Sequence, residues 1–166
     1  MATIGYQHII CDPTKCIGCR MCEYICSLTK TNAFDPAMSR IRVVRIEPIT
    51  MTAVACRLCA DAPCIFACPR DALTRSEKNG TILVDQDKCD GCGWCIEACD
   101  FGAIVLNPAV KRVEICNLCD DQEDGPRCVK YCPKEALSLS TPEVVGQQAR
   151  RDVVQRLFEE LLTQKE

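Results

Sequence analysis

The sequence predicts a small α+β fold in which two pseudo-domains are followed by a C-terminal amphipathic helix. Three observations predict it. Seventeen of the 166 residues are cysteine, and sixteen of these fall into four sets of four. Short β-rich segments separate the sets. The chain beyond residue 140 has no cysteine and carries apolar residues at helical spacing.

The composition leaves little apolar material for a core. The 48% of residues counted as hydrophobic includes the cysteines, and aromatic residues make up only 5%. Such a chain needs disulfides or metal groups to close its fold. The segment before Cys11 shows no export signal, so we expect a cytoplasmic protein whose dense thiols bind metal. The net charge of −3 argues against a nucleic-acid surface, and we expect no direct membrane insertion.

The four cysteine sets are variations on one repeat. The first and third have gaps of two, two and three residues, the middle gap of the second has four residues, and that of the fourth has eight. The segments that follow the second, third and fourth sets, residues 69–73, 100–104 and 133–137, also resemble one another. The sets are Cys16, Cys19, Cys22 and Cys26; Cys56, Cys59, Cys64 and Cys68; Cys89, Cys92, Cys95 and Cys99; and Cys116, Cys119, Cys128 and Cys132.

The spacing of the first and third sets is typical of [4Fe–4S] cluster loops. Three cysteines in a short loop with Gly18, or with Gly91 and Gly93, can bind three corners of one cubane, and the fourth cysteine reaches a neighbouring cluster. Structural zinc is the alternative, because Cys₄ zinc sites also use C-x2-C pairs. Zinc sites need only two such pairs, however. We therefore predict that all sixteen cysteines are ligands of four [4Fe–4S] clusters.

These motifs resemble those of the four-cluster polyferredoxins, the electron-transfer subunits of formate dehydrogenase, dimethyl sulfoxide reductase, carbon monoxide dehydrogenase and tungsten aldehyde oxidoreductase complexes. The resemblance rests on all four motifs and covers residues 6–140. It implies one four-cluster domain over residues 1–140, made of two intertwined bacterial ferredoxin-like pseudo-domains. The outer motifs 16–26 and 116–132 pair with each other, as do the inner motifs 56–68 and 89–99. Spacing alone equally allows adjacent motifs to pair.

The resemblance also implies which cysteines share a cluster. Three ligands come from one motif and the fourth comes from its paired motif. The implied sets are Cys16, Cys19, Cys22 and Cys132 for cluster 1; Cys56, Cys59, Cys64 and Cys99 for cluster 2; Cys89, Cys92, Cys95 and Cys68 for cluster 3; and Cys116, Cys119, Cys128 and Cys26 for cluster 4.

Several residues near the motifs are predicted to have supporting roles. Cys11 takes the place of Val84 in the repeat and is predicted to be a small buried residue on a strand. His8, the only histidine, is predicted to pack or to lie at the surface rather than to bind iron. Trp94 is predicted to shield a cluster from water. Basic residues beside the ligands are predicted to be solvated: Lys15, Arg20, Arg57 and Lys88.

Short strands are predicted before and after the cysteine loops, with the fourth cysteine of each motif on a helix of one or two turns. Residues 78–80, Lys-Asn-Gly, signal a hairpin. Residues 107–108, Asn-Pro, signal a second turn between apolar segments. The β-rich segment 41–46 lies in the longest gap between motifs. It is predicted to cover the clusters or to contact a partner.

Residues 141–166 form a separate C-terminal segment. Thr141 and Pro142 supply a helix N-cap and a first-turn proline. Apolar residues recur every four positions from Val145 to Leu161, which predicts an amphipathic helix about 30 Å long. Two roles are open: packing on the helix's own domain, and docking onto another subunit or another copy of this chain.

The function expected from this pattern is electron transfer without catalysis. The sequence shows no nucleotide-binding glycine loop, nucleophile–base pair or open metal site, so we predict a subunit that relays single electrons between a catalytic subunit and another redox partner. The resemblance favours a tungsten- or molybdenum-pterin aldehyde or formate oxidoreductase, with a flavin subunit as a further candidate partner. The alternatives are a hydrogenase or carbon monoxide dehydrogenase subunit, a free polyferredoxin and, last, a structural zinc protein.

Overall fold

The structure is a computed structural model that describes residues 6–46 and 49–163. The first five residues, part of the segment without an export signal, and residues 164–166 of the C-terminal segment lie outside the described residues. The strands are β1 (His8–Cys11), β2 (Arg42–Ile46), β3 (Thr50–Val54), β4 (Leu73–Arg75), β5 (Ile82–Val84), β6 (Ile104–Asn107), β7 (Arg112–Ile115) and β8 (Leu137–Ser140). The helices are α1 (Met21–Thr31), α2 (Pro63–Phe66), α3 (Trp94–Glu97), α4 (Arg127–Lys130) and α5 (Pro142–Thr163), with a 3-10 turn at Pro36–Met38. The predicted α+β class is confirmed.

In the described part of the chain the strands form antiparallel two-stranded ribbons. Three ribbons are hairpins of consecutive strands, β2–β3, β4–β5 and β6–β7. The fourth joins β1 to β8, with His8 opposite Ser140 and Cys11 opposite Leu137. Because β1 precedes the first cysteine motif and β8 follows the last, this ribbon brings the two outer motifs together. The hairpins β4–β5 and β6–β7 flank the inner motifs.

Both predicted turn signals lie between paired strands. The Lys-Asn-Gly segment connects β4 to β5, in which Leu73 is opposite Val84. The Asn-Pro segment begins the connection between β6 and β7, in which Ile104 is opposite Ile115. These hairpin predictions are confirmed. The β-rich segment 41–46 supplies β2, which pairs with β3.

The position of the fourth cysteine differs from the prediction in three motifs. Helices α2, α3 and α4 are a single turn each and end before Cys68, Cys99 and Cys132. The third cysteine of these motifs lies on the helix instead. Only in the first motif does the helix, α1, include the fourth cysteine, Cys26.

Backbone hydrogen bonds explain why these helices end early. The Cys68 N–H donates to the Ile65 carbonyl at 3.1 Å, which tightens the last turn. Pro69 follows, and a proline disfavours helical geometry in the residue before it. Asp71 then takes a left-handed conformation, with φ +50°, and directs the chain into β4. In the third motif Asp100 follows Cys99, and α3 ends early without a proline, with the Cys99 N–H donating to the Ile96 carbonyl at 3.1 Å. Only α1 continues past its fourth cysteine.

Two groups of buried side chains form the core, and cysteines belong to both. The first lies around β1, β3 and α1, and the second lies around the β4–β5 and β6–β7 hairpins. The apolar members of the first group are Ile9, Ile41, Ala53, Ala55 and Leu137, and those of the second are Ala62, Leu73, Ile82, Ile104, Val113 and Ile115. Buried cysteines complete both groups, as expected for a chain with few large apolar residues.

Helix α5 lies outside both cores. None of its described residues is buried, and Leu157, Phe158 and Leu162 are between half and two thirds exposed. The helix therefore does not pack on its own domain, which was one of the two roles open from the sequence. No helix within residues 6–46 and 49–163 is long and apolar enough to cross a membrane.

The approach of the third cysteine loop to the β6–β7 turn generates a prediction about stability. A Cβ atom added to Gly91, whose φ is +71°, would lie 2.1 Å from the Lys111 carbonyl oxygen. We expect Gly91→Ala to lower the free energy of unfolding by about 2 kcal/mol or more, because a backbone clash adds to the left-handed strain. Denaturant unfolding under anaerobic conditions measures the change.

The matched control is Gly125→Ala. Gly125 has a similar φ of +70°, but nothing lies within 4 Å of an added Cβ atom. This variant should lose only the cost of left-handed strain, about 1 kcal/mol. Equal losses in the two variants would show that the contact with Lys111 is unimportant.

Candidate iron–sulfur sites

Four cavities in the described structure are each lined by four cysteines. We number them by the motif that contributes three of the four. The cavities enclose between about 310 and about 430 Å³. Cavity I is lined by Cys16, Cys19, Cys22 and Cys132; cavity II by Cys56, Cys59, Cys64 and Cys99; cavity III by Cys89, Cys92, Cys95 and Cys68; and cavity IV by Cys116, Cys119, Cys128 and Cys26.

This grouping is nested. The first and fourth motifs exchange their fourth cysteines, and so do the second and third. The structure therefore brings together the same residues that the resemblance implied, and it does not group adjacent outer and inner motifs. The role of each cysteine as a ligand stays a prediction.

Helix α1 shows how one motif can line two cavities. On α1, Cys22 lines cavity I and Cys26 lines cavity IV. Side chains four residues apart lie on one helix face, one turn from each other. Neighbouring cavities consequently share a helix between them and lie side by side.

The fourth cysteine of every motif accepts a backbone hydrogen bond at Sγ. In three motifs the donor is an alanine N–H four residues later. In the first motif α1 continues past Cys26, and the donor is the more distant Arg40. Such N–H groups stabilise a thiolate and adjust the potential of a bound cluster. The donor–acceptor pairs are Ala72–Cys68 at 3.3 Å, Ala103–Cys99 at 3.4 Å, Ala136–Cys132 at 3.3 Å and Arg40–Cys26 at 3.4 Å.

Burial makes bare thiolates unfavourable in these cavities. It raises the pKa of the Cys22 thiol to about 12 and that of the Cys56 thiol to about 11. A cationic metal group offsets this cost, since it binds the deprotonated sulfur directly. The described cysteines are all free thiols. The donor set therefore fits a thiolate-bound cationic cluster.

The rest of each cavity wall is mainly apolar. In cavity II it includes Pro63, Ile82 and Ile104, with Arg57 and Phe101 also in the wall. The Arg57 guanidinium lies 5.5 Å from the centre of the Phe101 ring. Apolar walls exclude water from a cluster and so influence its potential.

No three described His, Cys, Asp or Glu side chains converge closely enough to hold one metal ion. A cubane does not require such convergence, because each of its irons takes a separate cysteine.

Cys11 and His8 both lie on β1, and neither lines any of the four cavities, although the Cys11 thiol lies close to that of Cys16. Cys11 is half-buried and packs against the first core group. His8 is 2% exposed, and neither ring nitrogen has a hydrogen-bond partner among the described residues. Burial, followed by the nearby charge of Arg57, lowers the pKa of His8. His8 is therefore a buried packing residue rather than a surface residue.

The prediction for Trp94 is wrong. Its side chain is 65% exposed and lines none of the four cavities. Trp94 is the first residue of α3, directly after Gly93. Gly91 and Gly93 line cavity III near Cys92 instead.

The basic residues beside the ligands make local contacts. Lys15 lies 3.8 Å from Asp12, and Lys88 lies 3.6 Å from Asp85, in equivalent positions of the repeat. Both lysines are more than half exposed, which confirms that they are solvated. Such exposed pairs contribute little to stability.

Arg20 pairs with a residue that the sequence analysis missed. Glu23 follows Cys22 directly and is 1% exposed. Comparison of the repeats could have found it, because the residue after the third cysteine is Ile65, Ile96 or Val129 in the other motifs.

A small α+β chain with sixteen thiols grouped in four mainly apolar cavities is typical of metalloproteins that bind several clusters. Comparison with protein families identifies the member of that class: residues 48–141 match the 4Fe-4S dicluster domain. The chain belongs to this family, and its cofactors are [4Fe–4S] clusters.

Relatives with similar sequences have names that refer to electron transfer. YsaA of Escherichia coli K12, whose name proposes a role in electron transport, is 43% identical over 84% of this chain and 92% of its own length. The electron transport protein HydN of the same strain is 37% identical over 79% of this chain and 86% of its own. The polyferredoxin-like subunit of aliphatic sulfonate oxidoreductase from Pyrococcus furiosus is 42% identical over 80% of this chain and 77% of its own length.

The absence of Cys11 from the four cavity linings generates a prediction about iron content. We expect Cys11→Val to retain the full iron content, because the residue packs on a strand. Cys16→Val is the matched comparison, since Cys16 lines cavity I. It should lose up to about four irons per chain. Iron analysis after anaerobic purification measures both, and loss of iron in Cys11→Val would contradict the packing role.

Proposed function

We propose that this chain is a non-catalytic electron-transfer subunit that relays single electrons through four [4Fe–4S] clusters. The grouping of the cysteines in cavities I to IV supports this proposal most directly. Clusters 1 to 4 would be held in cavities I to IV by the cysteines that line each one. A bound cubane supplies one-electron chemistry. The protein supplies the spacing between neighbouring sites, the hydrogen bonds to sulfur and the exclusion of water.

The contacts between cavities support the order I, IV, II, III. Cavities I and IV share α1 between them. Cavities II and III share α2, because Cys64 lines cavity II and Cys68 follows the helix into cavity III. The link between the two pairs is Cys56, which packs against both core groups and lies close enough to Cys116 for their charges to interact.

Surface exposure supports the two ends of this order as the points of electron entry and exit. Among the cysteines, only Cys19 and Cys92 are exposed. Cys19 lines cavity I and Cys92 lines cavity III. Electron exchange with a partner is favoured where the distance between a cluster and the protein surface is shortest. Each redox partner would therefore dock at one of these ends.

The exposed helix α5 supports a place in a larger complex. We propose that residues 1–140 form the four-cluster domain, with intertwined pseudo-domains, and that residues 141–166 form a docking segment for a partner or another copy of this chain. Val154, Phe158 and Leu162 lie along one groove of the helix, bordered by Arg150 and Glu159. An apolar strip with charged borders is typical of a protein interface.

The proposed catalytic partner is an oxidoreductase subunit, with a tungsten- or molybdenum-pterin aldehyde or formate enzyme as the first choice. The relative from Pyrococcus furiosus is named as a polyferredoxin-like subunit of an oxidoreductase, which supports this kind of partner. A flavin subunit is a candidate for the other end. A hydrogenase or carbon monoxide dehydrogenase subunit and a free polyferredoxin remain second candidates, and a structural zinc protein is last. We place the chain in the cytoplasm, where thiols stay reduced before cluster assembly.

Metal analysis of the anaerobically purified protein tests the proposal. Four cubanes correspond to about 16 irons and about 16 acid-labile sulfides per chain. Dithionite should reduce the clusters reversibly and bleach their visible absorption. Chelation of the iron should unfold the domain, because the buried cysteines depend on bound metal. Stoichiometric zinc, or iron that cannot be reduced, would overturn the proposal.

Removal of the C-terminal helix tests its role in assembly. Truncation before Thr141 should leave the iron content unchanged, because α5 contributes nothing to the cores or cavities. It should lower the mass of the native complex, measured by light scattering or native mass spectrometry. The double variant Phe158→Glu with Leu162→Glu alters the groove and should lower the mass in the same way. The control is Gln147→Glu, which alters an exposed polar position and should leave the mass unchanged. Unchanged mass in the truncated and double variants would refute a docking role. If the chain purified alone also loses mass, the partner is another copy of this chain.

A further inference from the structure

A buried carboxylate distinguishes the first cysteine motif from the others. Glu23 follows the third cysteine of its motif, where the other motifs have Ile65, Ile96 and Val129. Glu23 is 1% exposed, although Glu is almost never fully buried unless it is paired. The position is therefore apolar in three copies of the repeat and charged in one.

Both carboxylate oxygens of Glu23 have hydrogen-bond partners. Oε1 accepts the Val43 backbone N–H at 2.7 Å, which ties α1 to β2. Oε2 accepts from Arg20 Nε at 2.6 Å. These bonds offset the cost of removing the carboxylate from water.

Arg20, like Glu23, differs from the residues at the equivalent positions of the other motifs. Arg20 precedes α1 in a left-handed conformation, with φ +61°. In the third motif the residue equivalent to Arg20 is Gly93, with φ +88°. The residue equivalent to Glu23 in that motif is Ile96. A bulky residue at a positive φ costs conformational energy. In the first motif the residue with this costly conformation is the arginine whose side chain contacts Glu23.

The two charges of the pair do not have equal effects on cavity I. The Arg20 side chain is 54% exposed, so water screens its charge, whereas the Glu23 side chain is 1% exposed. The net field beside Cys22 is therefore negative.

We propose that Glu23 lowers the reduction potential of the cluster in cavity I and that Arg20 sets the size of this effect. This inference rests on the proposed function, because it concerns one of the four proposed clusters. When a cluster accepts one electron from its redox partner, its charge becomes more negative by one. A nearby buried anion opposes that change. Glu23 acts through the field at Cys22 and is a positioning residue rather than a ligand.

The alternative is that Glu23 only fastens β2 to α1. Two variants that each remove one charge of the pair separate the two roles. Glu23→Gln keeps an oxygen that can accept the Val43 N–H but removes the negative charge. Arg20→Gln removes the positive charge and leaves the carboxylate uncompensated. A field effect gives these variants opposite signs, whereas loss of fastening gives them the same sign.

The experiment is a redox titration of the anaerobically purified native complex, followed by electron paramagnetic resonance. We expect Glu23→Gln to favour reduction of one cluster by about tenfold, which for one electron is about 59 mV upward. Arg20→Gln should move the same cluster downward. The control is Glu97→Gln, which removes an exposed carboxylate between Cys95 and Cys99 beside cavity III. Screening by water should leave all potentials unchanged in this variant.

The outcomes separate this inference from the proposed function. If the unaltered protein contains no reducible clusters, the proposed function fails. If four clusters are reducible but Glu23→Gln and Arg20→Gln leave every potential in place, or move one in the same direction, the inference alone fails. If Glu23→Gln does not retain its clusters, the downward shift in Arg20→Gln decides, and its absence overturns the inference.

Discussion

The interior of this protein is occupied by thiol groups that must be deprotonated to bind metal, and this constraint shapes the rest of the structure. Buried sulfur is tolerated when it is protonated or bound to a cation, but not as a bare thiolate. Buried cysteines belong to both core groups, beside small residues such as Ala53 and Ala62. The strands and the helices α2, α3 and α4 are correspondingly short, because they serve mainly to hold cysteine loops around the cavities.

The exchange of fourth cysteines makes the cavities depend on one another. Each motif contributes to its own cavity and to a neighbouring one, so neither can form from a single motif. The β1–β8 ribbon extends this dependence to the two ends of the four-motif region. The same arrangement that closes the fold keeps neighbouring cavities close, and closeness is what electron transfer between clusters requires.

The repeated motifs have diverged where their surroundings differ. The first motif has a longer helix, an N–H donor to Cys26 from the distant Arg40, and the buried Glu23 paired with the exposed Arg20. The third has glycines and an exposed Trp94. Four similar loops can therefore hold similar clusters in unequal electrostatic environments. Helix α5, which no repeat contains, adds an exposed apolar groove.

The sequence by itself determined the cysteine motifs, the α+β class and the hairpins, because loop spacing and turn residues act over a few positions. Only the tertiary structure decided which fourth cysteine joins which loop, since nested and adjacent pairing use the same sixteen residues and differ only in long-range contacts such as β1 with β8. The burial of Glu23 and the exposure of Trp94 were also decided there. The burial of Glu23 depends on β2, which comes from elsewhere in the chain and supplies the Val43 N–H.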